Sequence, residues 1–278
     1  MTNLPVITRN TVCNDASRKG PSLLTGQECA ATIRPAEAGA GISFLHLPTR
    51  TLIPASLDHV ADTPHCTALQ MGEARIDFSE HLLAALFAGG ITDAVVEVDG
   101  GEVPLLDGSA SEYAKMVAEA GIASLGAEIE PIVITSEVLV AGPNKMISAV
   151  PGGPQYWYLL DHSHRRIGRQ AASFDPLKDC FATQVAPART FSTEEEARAL
   201  IEARGLEGAD VGMSLIVFQD RLSAPEPFAN SFAMHKVIDL IGDLYLLGRP
   251  VIGRVIAHRT GHADNRALAR KIAESHAP

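Results

Sequence analysis

The 278-residue chain is 46% hydrophobic, 20% charged and 5% aromatic, a composition that supports one large or two ordinary globular domains with real cores. A net charge of −10 and a pI near 5.4 argue against a general binder of nucleic acid or of anionic membranes, but leave room for an anionic small molecule held by a few local Arg and Lys side chains. The four cysteines (Cys13, Cys29, Cys66, Cys180) form no C-x-x-C pair, the first residues lack a secretion-signal pattern, and no apolar run approaches the ~20 residues of a membrane span. A cytoplasmic protein with reduced thiols is expected.

In chain order, Ala30–Pro35 and Gly41–Leu45 read as short strands broken by Gly and Pro. Ser79 as N-cap and Gly89-Gly90 as stop bracket a helix over residues 79–88. Asp93–Asp99 predicts a strand, Val103–Ser109 a short strand and turn, and Ser109–Ala120 a second helix. Gly121–Glu130, small and weakly patterned before Pro131, marks the expected domain junction, dividing the chain into units 1–126 and 127–278. Beyond it, strands are expected at Ile132–Val140, Lys145–Val150, Tyr156–Asp161, Ser214–Phe218 and Val251–His258. Helices are expected at Ser192–Arg204 (capped by Ser192 or Thr193), Asn230–Leu247 and Asp264–Glu274. Two groups of alternating strands and helices predict an α+β fold of two layered domains, without an internal sequence repeat strong enough to prove duplication.

The Asn230–Leu247 helix carries the densest chemistry. His235, Asp239 and Asp243 fall within an arc of about 80° on one face, among Val237, Ile238, Leu240, Ile241 and Leu244. Unpaired carboxylates there would cost several kcal/mol each, and a metal ion would offset that cost. The i, i+4 His–Asp spacing suits zinc, although a solvated polar stripe explains the same pattern. Glu80-His81 offers a third ligand and an adjacent general base, or simply an acid at a helix N-terminus beside a packed histidine. His262 follows a Gly in a loop after a strand, where Asp243 would raise its pKa, or it is a surface histidine. Thr190 is an oxyanion donor or a helix cap, and His162-Ser-His164 is a weaker metal pattern.

Several runs resemble one family. They are Asp62-Thr-Pro-His-Cys-Thr-Ala-Leu69, Glu80-His-Leu-Leu-Ala-Ala-Leu86, Val103-Pro-Leu-Leu-Asp-Gly-Ser-Ala110, Ala188-Arg-Thr-Phe191, His235-Lys-Val-Ile-Asp-Leu-Ile-Gly-Asp243 continuing to Gly248, and Thr260-Gly-His-Ala263 with Asn265. In this order, across nearly the whole chain, they resemble the UDP-3-O-acyl-N-acetylglucosamine deacetylases (LpxC family), zinc enzymes of lipid A synthesis. The resemblance implies two β-α-α-β sandwiches with the active site between them, and a small insert in each, the second forming a passage for an acyl chain. It implies zinc on His81, His235 and Asp239, Glu80 as general base on the attacking water, and His262 as the acid that protonates the leaving amine, with Asp243 as its partner. Thr190 would stabilise the oxyanion, and Lys236, Phe191 and Arg189 would contact substrate. The expected partner is an acylated UDP-amino-sugar, with no nucleic acid and no transmembrane segment, and the chain is expected to act as a monomer.

Four stretches depart from the family pattern. Leu24 stands where the family has His, Ala209-Asp-Val211 replaces Gly-Gly-Ser, Ser231-Phe-Ala-Met234 replaces Glu-Phe-x-Arg, and Asp161-His-Ser-His164-Arg165 replaces Asp-x-x-His-Pro. These fall where substrate is recognised, so Leu24, Val211 and Met234 bear on specificity more than on the reaction. Two other readings are an amidohydrolase for a different N-acetylated sugar or amide, and an inactive nucleotide-sugar-binding relative. An intact Glu80 weighs against the second, because a binder needs no general base.

Overall fold

The computed structural model describes residues 7–63, 65–204 and 212–276. It is an α+β fold. Its helices among these residues are α1 (Glu80–Ala88), α2 (Ser111–Ala120), α3 (Phe181–Gln184), α4 (Glu194–Arg204), α5 (Ser231–Tyr245) and α6 (His262–Ser275).

Two five-stranded sheets repeat one topology. In the first, the spatial order is Ala16–Pro21, Glu28–Pro35, Ala94–Val98, Ile42–His46, Thr51–Pro54. In the second it is Val138–Gly142, Lys145–Val150, Arg254–His258, Gln155–Asp161, Arg169–Phe174. In both, the strand that comes last in the chain sits at the centre, antiparallel to one neighbour and parallel to the other. The inner helix (α1 or α5) enters just before that central strand, and the outer helix (α2 or α6) follows it. A small extra unit precedes each inner helix. In the first half it is a three-stranded sheet (Val60–Ala61, Ala68–Met71, Ala74–Ile76); in the second, α4 connects the parallel pair Phe191–Thr193 and Leu215–Val217. The duplication absent from the sequence is thus present in the topology.

One apolar core runs through both halves, joining Ile33, Phe44 and Val96 beneath the first sheet to Ile147, Tyr158 and Phe174 beneath the second. Helices α1 and α5 pack against each other at its centre. Along α5 every residue but Lys236 is buried, so its polar face is not a solvated stripe. Their close approach depends on Gly242, where an added Cβ would lie 2.2 Å from the Glu80 carbonyl oxygen and 2.9 Å from its Cα.

Several local expectations are corrected. Gly121–Glu130 is not an unpatterned connection, for Ile122–Ile129 is a strand paired antiparallel with Ile7–Val12. Most of its side chains stay exposed or half-exposed, so little apolar alternation is needed to hold it. Val103–Ser109 holds no strand; it is a turn with Leu106 at φ 56° and Gly108 at φ 82°. Ile132–Val140 is interrupted, with strands at Ile132–Val133 and Val138–Gly142. Ser79 stands at the N-cap of α1 as expected, but its side chain makes no capping bond; its hydroxyl donates to the Thr67 carbonyl (2.9 Å). Thr193 caps α4: the Glu196 N–H donates to its hydroxyl oxygen, and the Glu196 carboxylate accepts from the Thr193 N–H. Helix α6 begins at His262, two residues earlier than the pattern suggests, with Gly261 at the N-cap.

Candidate metal centre and active site

Helix α1 presents Glu80 and His81 from its first turn, and α5 presents His235 and Asp239 one turn apart on the facing surface. All four are at least 96% buried. One ligand atom each from His81, His235 and Asp239 lies within 4.8 Å of the others, and among the described residues this is the one His/Cys/Asp/Glu group with that geometry. Asp239 Oδ1 is 3.4 Å from His235 Nε2 and 3.7 Å from His81 Nε2. Zinc with bonds of 2.0–2.1 Å holds tetrahedral neighbours about 3.3 Å apart, close to these two carboxylate–imidazole separations. The His235 Nδ1–H donates to the Ala188 carbonyl at 3.3 Å, which directs the Nε2 lone pair toward Asp239. Burial drives His235 down to about 3 despite the nearby Asp239 carboxylate, keeping it neutral as a ligand must be. The donor set fits a divalent ion such as zinc.

Around this trio sit further titratable groups. Burial raises Glu80 above the usual carboxylate range, although the charges of His262 and His81 oppose this. Its Oε2 accepts the Thr67 N–H at 2.8 Å. His262 donates from Nδ1 to Asp243 Oδ2 at 2.9 Å, and its Nε2 lies 3.9 Å from Asp239 Oδ2. Burial alone would lower His262, but the carboxylates of Asp243 and Asp239 outweigh it and push the imidazole up to about 9. Lys236 donates to Asp239 Oδ2 at 2.9 Å. Burial also disfavours both of these charges, yet their attraction holds the lysine above and the carboxyl well below their usual ranges.

Glu80, His81, His235, Lys236, Asp239 and His262 line one cavity of about 710 Å³, whose apolar wall includes Leu23, Phe78, Leu105, Leu200, Ile201 and Met213. Thr190 lines it, held by its N–H donating to the Gly108 carbonyl at 2.7 Å. That contact needs Gly108, where a Cβ would meet Met213 O at 2.3 Å and Thr190 Cγ2 at 2.8 Å. Phe191 lies 4.7 Å from the Phe232 ring, and the Lys236 ammonium sits 5.5 Å over its face. The Arg189 guanidinium donates to the Asp107 and Gly212 carbonyls, both at 2.7 Å, bracing the turn behind Thr190. Phe78 (φ 62°) and Arg259 (φ 55°) line the cavity in left-handed backbone, strain concentrated immediately before Glu80 and His262.

Among the departures, Leu24 packs with Cys66, Phe78, Leu105 and Met213, and its N–H, like that of Leu23, donates to the buried Glu102 carboxylate. Met234 is buried in α5, and Val211 lies outside the described residues. His162 and His164 form a turn in which the His164 N–H donates to His162 Nδ1 (3.0 Å). Both line a neighbouring cleft of about 780 Å³ that shares His162, Glu194, Glu196 and Arg198 with the main cavity.

Thr67 and Arg266 received no role from the sequence. Thr67 lies inside the Asp62–Leu69 run, which was the one signal available, but its contacts reach residues up to 199 positions away.

A two-His, one-carboxylate metal set beside a buried carboxylate and a carboxylate-held imidazole is an arrangement for hydrolysis, and known proteins share its framework. A model of the UDP-3-O-acyl N-acetylglycosamine deacetylase family (LpxC) matches residues 9–274. The UDP-3-O-acyl-N-acetylglucosamine deacetylase of Anaeromyxobacter dehalogenans (strain 2CP-C) is 37% identical over 95% of this chain and 87% of its own length. That of Leptospira biflexa serovar Patoc (strain Patoc 1 / Ames) is 36% identical, over 96% and 90%. That of Thermosynechococcus vestitus is 35% identical, over 98% and 96%. With matches spanning the folds of both halves and the residues that converge on the cavity, the chain belongs to the UDP-3-O-acyl N-acetylglycosamine deacetylase family.

Proposed function

We propose that the protein is a zinc-dependent amidohydrolase that removes the N-acetyl group of UDP-3-O-acyl-N-acetylglucosamine, a cytoplasmic step of lipid A synthesis carried out by a monomer. The observation that carries this reading is the meeting of Glu80 and His262 in one cavity with the His81–His235–Asp239 set. The two halves, 1–126 and 127–278, act as domains that each supply part of the site.

His81, His235 and Asp239 hold the ion. Bound there, zinc supplies Lewis acidity, polarising the amide carbonyl and lowering the pKa of water from about 15.7 to roughly 7. Glu80 takes a proton from the attacking water as its oxygen bonds to the carbonyl carbon. Thr190 donates a hydrogen bond to the carbonyl oxygen as charge builds on it. The C–N bond then breaks, and His262 gives its Nε2 proton to the departing amine. Asp243 holds the imidazole by Nδ1 with Nε2 free for this transfer. Acetate and a free amino sugar are the products. Lys236 and the Phe191 ring bind the sugar nucleotide, Arg189 supports the Thr190 segment from behind, and the apolar wall by α4 receives the acyl chain.

The test is to load the protein with zinc, confirm one ion per chain, and follow the substrate by mass spectrometry. Loss of one acetyl group supports the reading. A zinc-loaded, folded protein that leaves the substrate intact overturns it.

A further inference from the structure

Fully buried Thr67 lies behind the cavity, in hydrogen-bond contact with both Glu80 and Asp243. Its backbone N–H donates to Glu80 Oε2 at 2.8 Å. Its hydroxyl donates to Asp243 Oδ1 in a short hydrogen bond. The direction of that bond is fixed by a third partner. Arg266, whose guanidinium can only donate, reaches the Thr67 hydroxyl oxygen with Nη1 at 3.4 Å, together with the Cys66 carbonyl (3.3 Å) and, through Nη2, the Thr63 carbonyl (3.2 Å). The hydroxyl proton is therefore free for Asp243. Asp243 accepts on its other oxygen from Asn265 Nδ2 (2.8 Å) and His262 Nδ1 (2.9 Å). With donors on both oxygens, Asp243 is an acceptor throughout, which selects the His262 tautomer protonated at Nδ1.

We propose that Thr67 is a positioning residue that ties the two proton-transfer groups together, holding Glu80 through its N–H and the Asp243–His262 pair through its hydroxyl, with Arg266 setting the direction of that hydroxyl. The inference rests on the hydrolase reading above. It explains why a segment of the first half is clamped by a buried arginine of the last helix. The clamp fixes the distance between base and acid across the two halves, so both stand ready in one geometry before substrate arrives.

The test uses Thr67→Val, which keeps the N–H and the side-chain shape but removes the hydroxyl, and Thr67→Ser, which restores it. Zinc content, unfolding temperature and steady-state kinetics are measured for the full chain. The valine variant should keep its zinc and lose about 10- to 100-fold in kcat with KM within about twofold, a size typical of lost hydrogen-bond partners behind working groups. The serine variant should recover kcat to within about threefold. A readout independent of turnover is the low-field Nδ1–H proton resonance of His262 in metal-free protein with isotope-labelled histidine; it should move in the valine variant and stay in place in the serine variant. Should the valine variant not fold, Thr67→Cys, a weaker donor of similar shape, reads the same quantities. Normal kcat in valine, equal losses in valine and serine, or an unmoved resonance would each overturn the proposal. Absence of turnover in the wild type would instead strike the hydrolase reading, and the resonance would still judge the Thr67 link.

Discussion

Substitution of Gly242 by alanine separates helix propensity from site geometry. In an exposed helix this change stabilises by roughly 1 kcal/mol. Here the added Cβ would lie 2.2 Å from Glu80 O, 2.8 Å from its C and 2.9 Å from its Cα, and real Cβ contacts do not fall below 3.0 Å. The obstacle is backbone, so no side-chain rotation relieves it and α1 must move from α5 by about 0.8 Å or more. His81 rides on α1 while His235 and Asp239 ride on α5, so the 3.4 and 3.7 Å separations that fit an ion no longer hold together. Metal bonds tolerate about ±0.2 Å, far less than this shift. Overpacking of this kind costs about 1–3 kcal/mol, which exceeds or cancels the propensity gain. Gly242→Ala is expected to lower the unfolding temperature by several degrees and to weaken zinc binding at least tenfold, measured by calorimetry and by competition with a chelating dye. A variant with wild-type zinc affinity and a raised unfolding temperature would refute the claim that helix contact distance sets the metal site.

Other consequences follow from the same geometry. His81→Ala removes one of three ligands and should sharply reduce zinc retained on dialysis, while leaving the protein folded by circular dichroism. Gly108→Ala forces the Gly108 turn against Met213 O and Thr190 Cγ2 from a backbone at φ 82°, so kcat should fall by tenfold or more (~1.4 kcal/mol) with little change in zinc content. On the proposed mechanism turnover should follow a bell in pH, with Glu80 serving as base only above a pKa raised by burial and His262 as acid only below a pKa that the Asp243 and Asp239 carboxylates raise against the effect of burial. In Asp243→Asn the attraction that lifts His262 is lost while burial remains, so the alkaline limb should move to lower pH. An unmoved limb would remove His262 from the acid role. In the metal-free protein the raised His262 pKa contributes stability that is present below its unfolded value of about 6.5 and lost as pH rises through about 9, which urea titration reads directly.

How much of this was legible in the sequence depended on the range of each interaction. Helix α5 was readable because its apolar period and the His235–Asp239 spacing are local, and one helical turn fixes both side chains. That His81 would meet them is a tertiary fact, and no periodicity in either helix implies it; the residue types made it a candidate third ligand, and the resemblance favoured it over a packed histidine. The strand Ile122–Ile129 escaped notice because a half-exposed two-stranded ribbon needs no strong apolar alternation. Ser79 was readable as the N-cap residue, but not that its hydroxyl would serve the Thr67 carbonyl, twelve positions away, instead of the helix N–H groups. The Thr67–Arg266 clamp was invisible for the plainest reason: its partners lie about two hundred positions apart, and Thr and Arg carry no spacing signature of their own.

In the proposed reaction Glu80 takes the proton from water while His81, His235 and Asp239 hold zinc. Acetate release from UDP-3-O-acyl-N-acetylglucosamine under single-turnover conditions, comparing zinc-loaded wild type with zinc-loaded Glu80→Gln, tests it most directly. One zinc per chain is expected in both proteins, with a loss of at least ~100-fold in the rate for the variant. A variant that carries its zinc and releases acetate at the wild-type rate would contradict it.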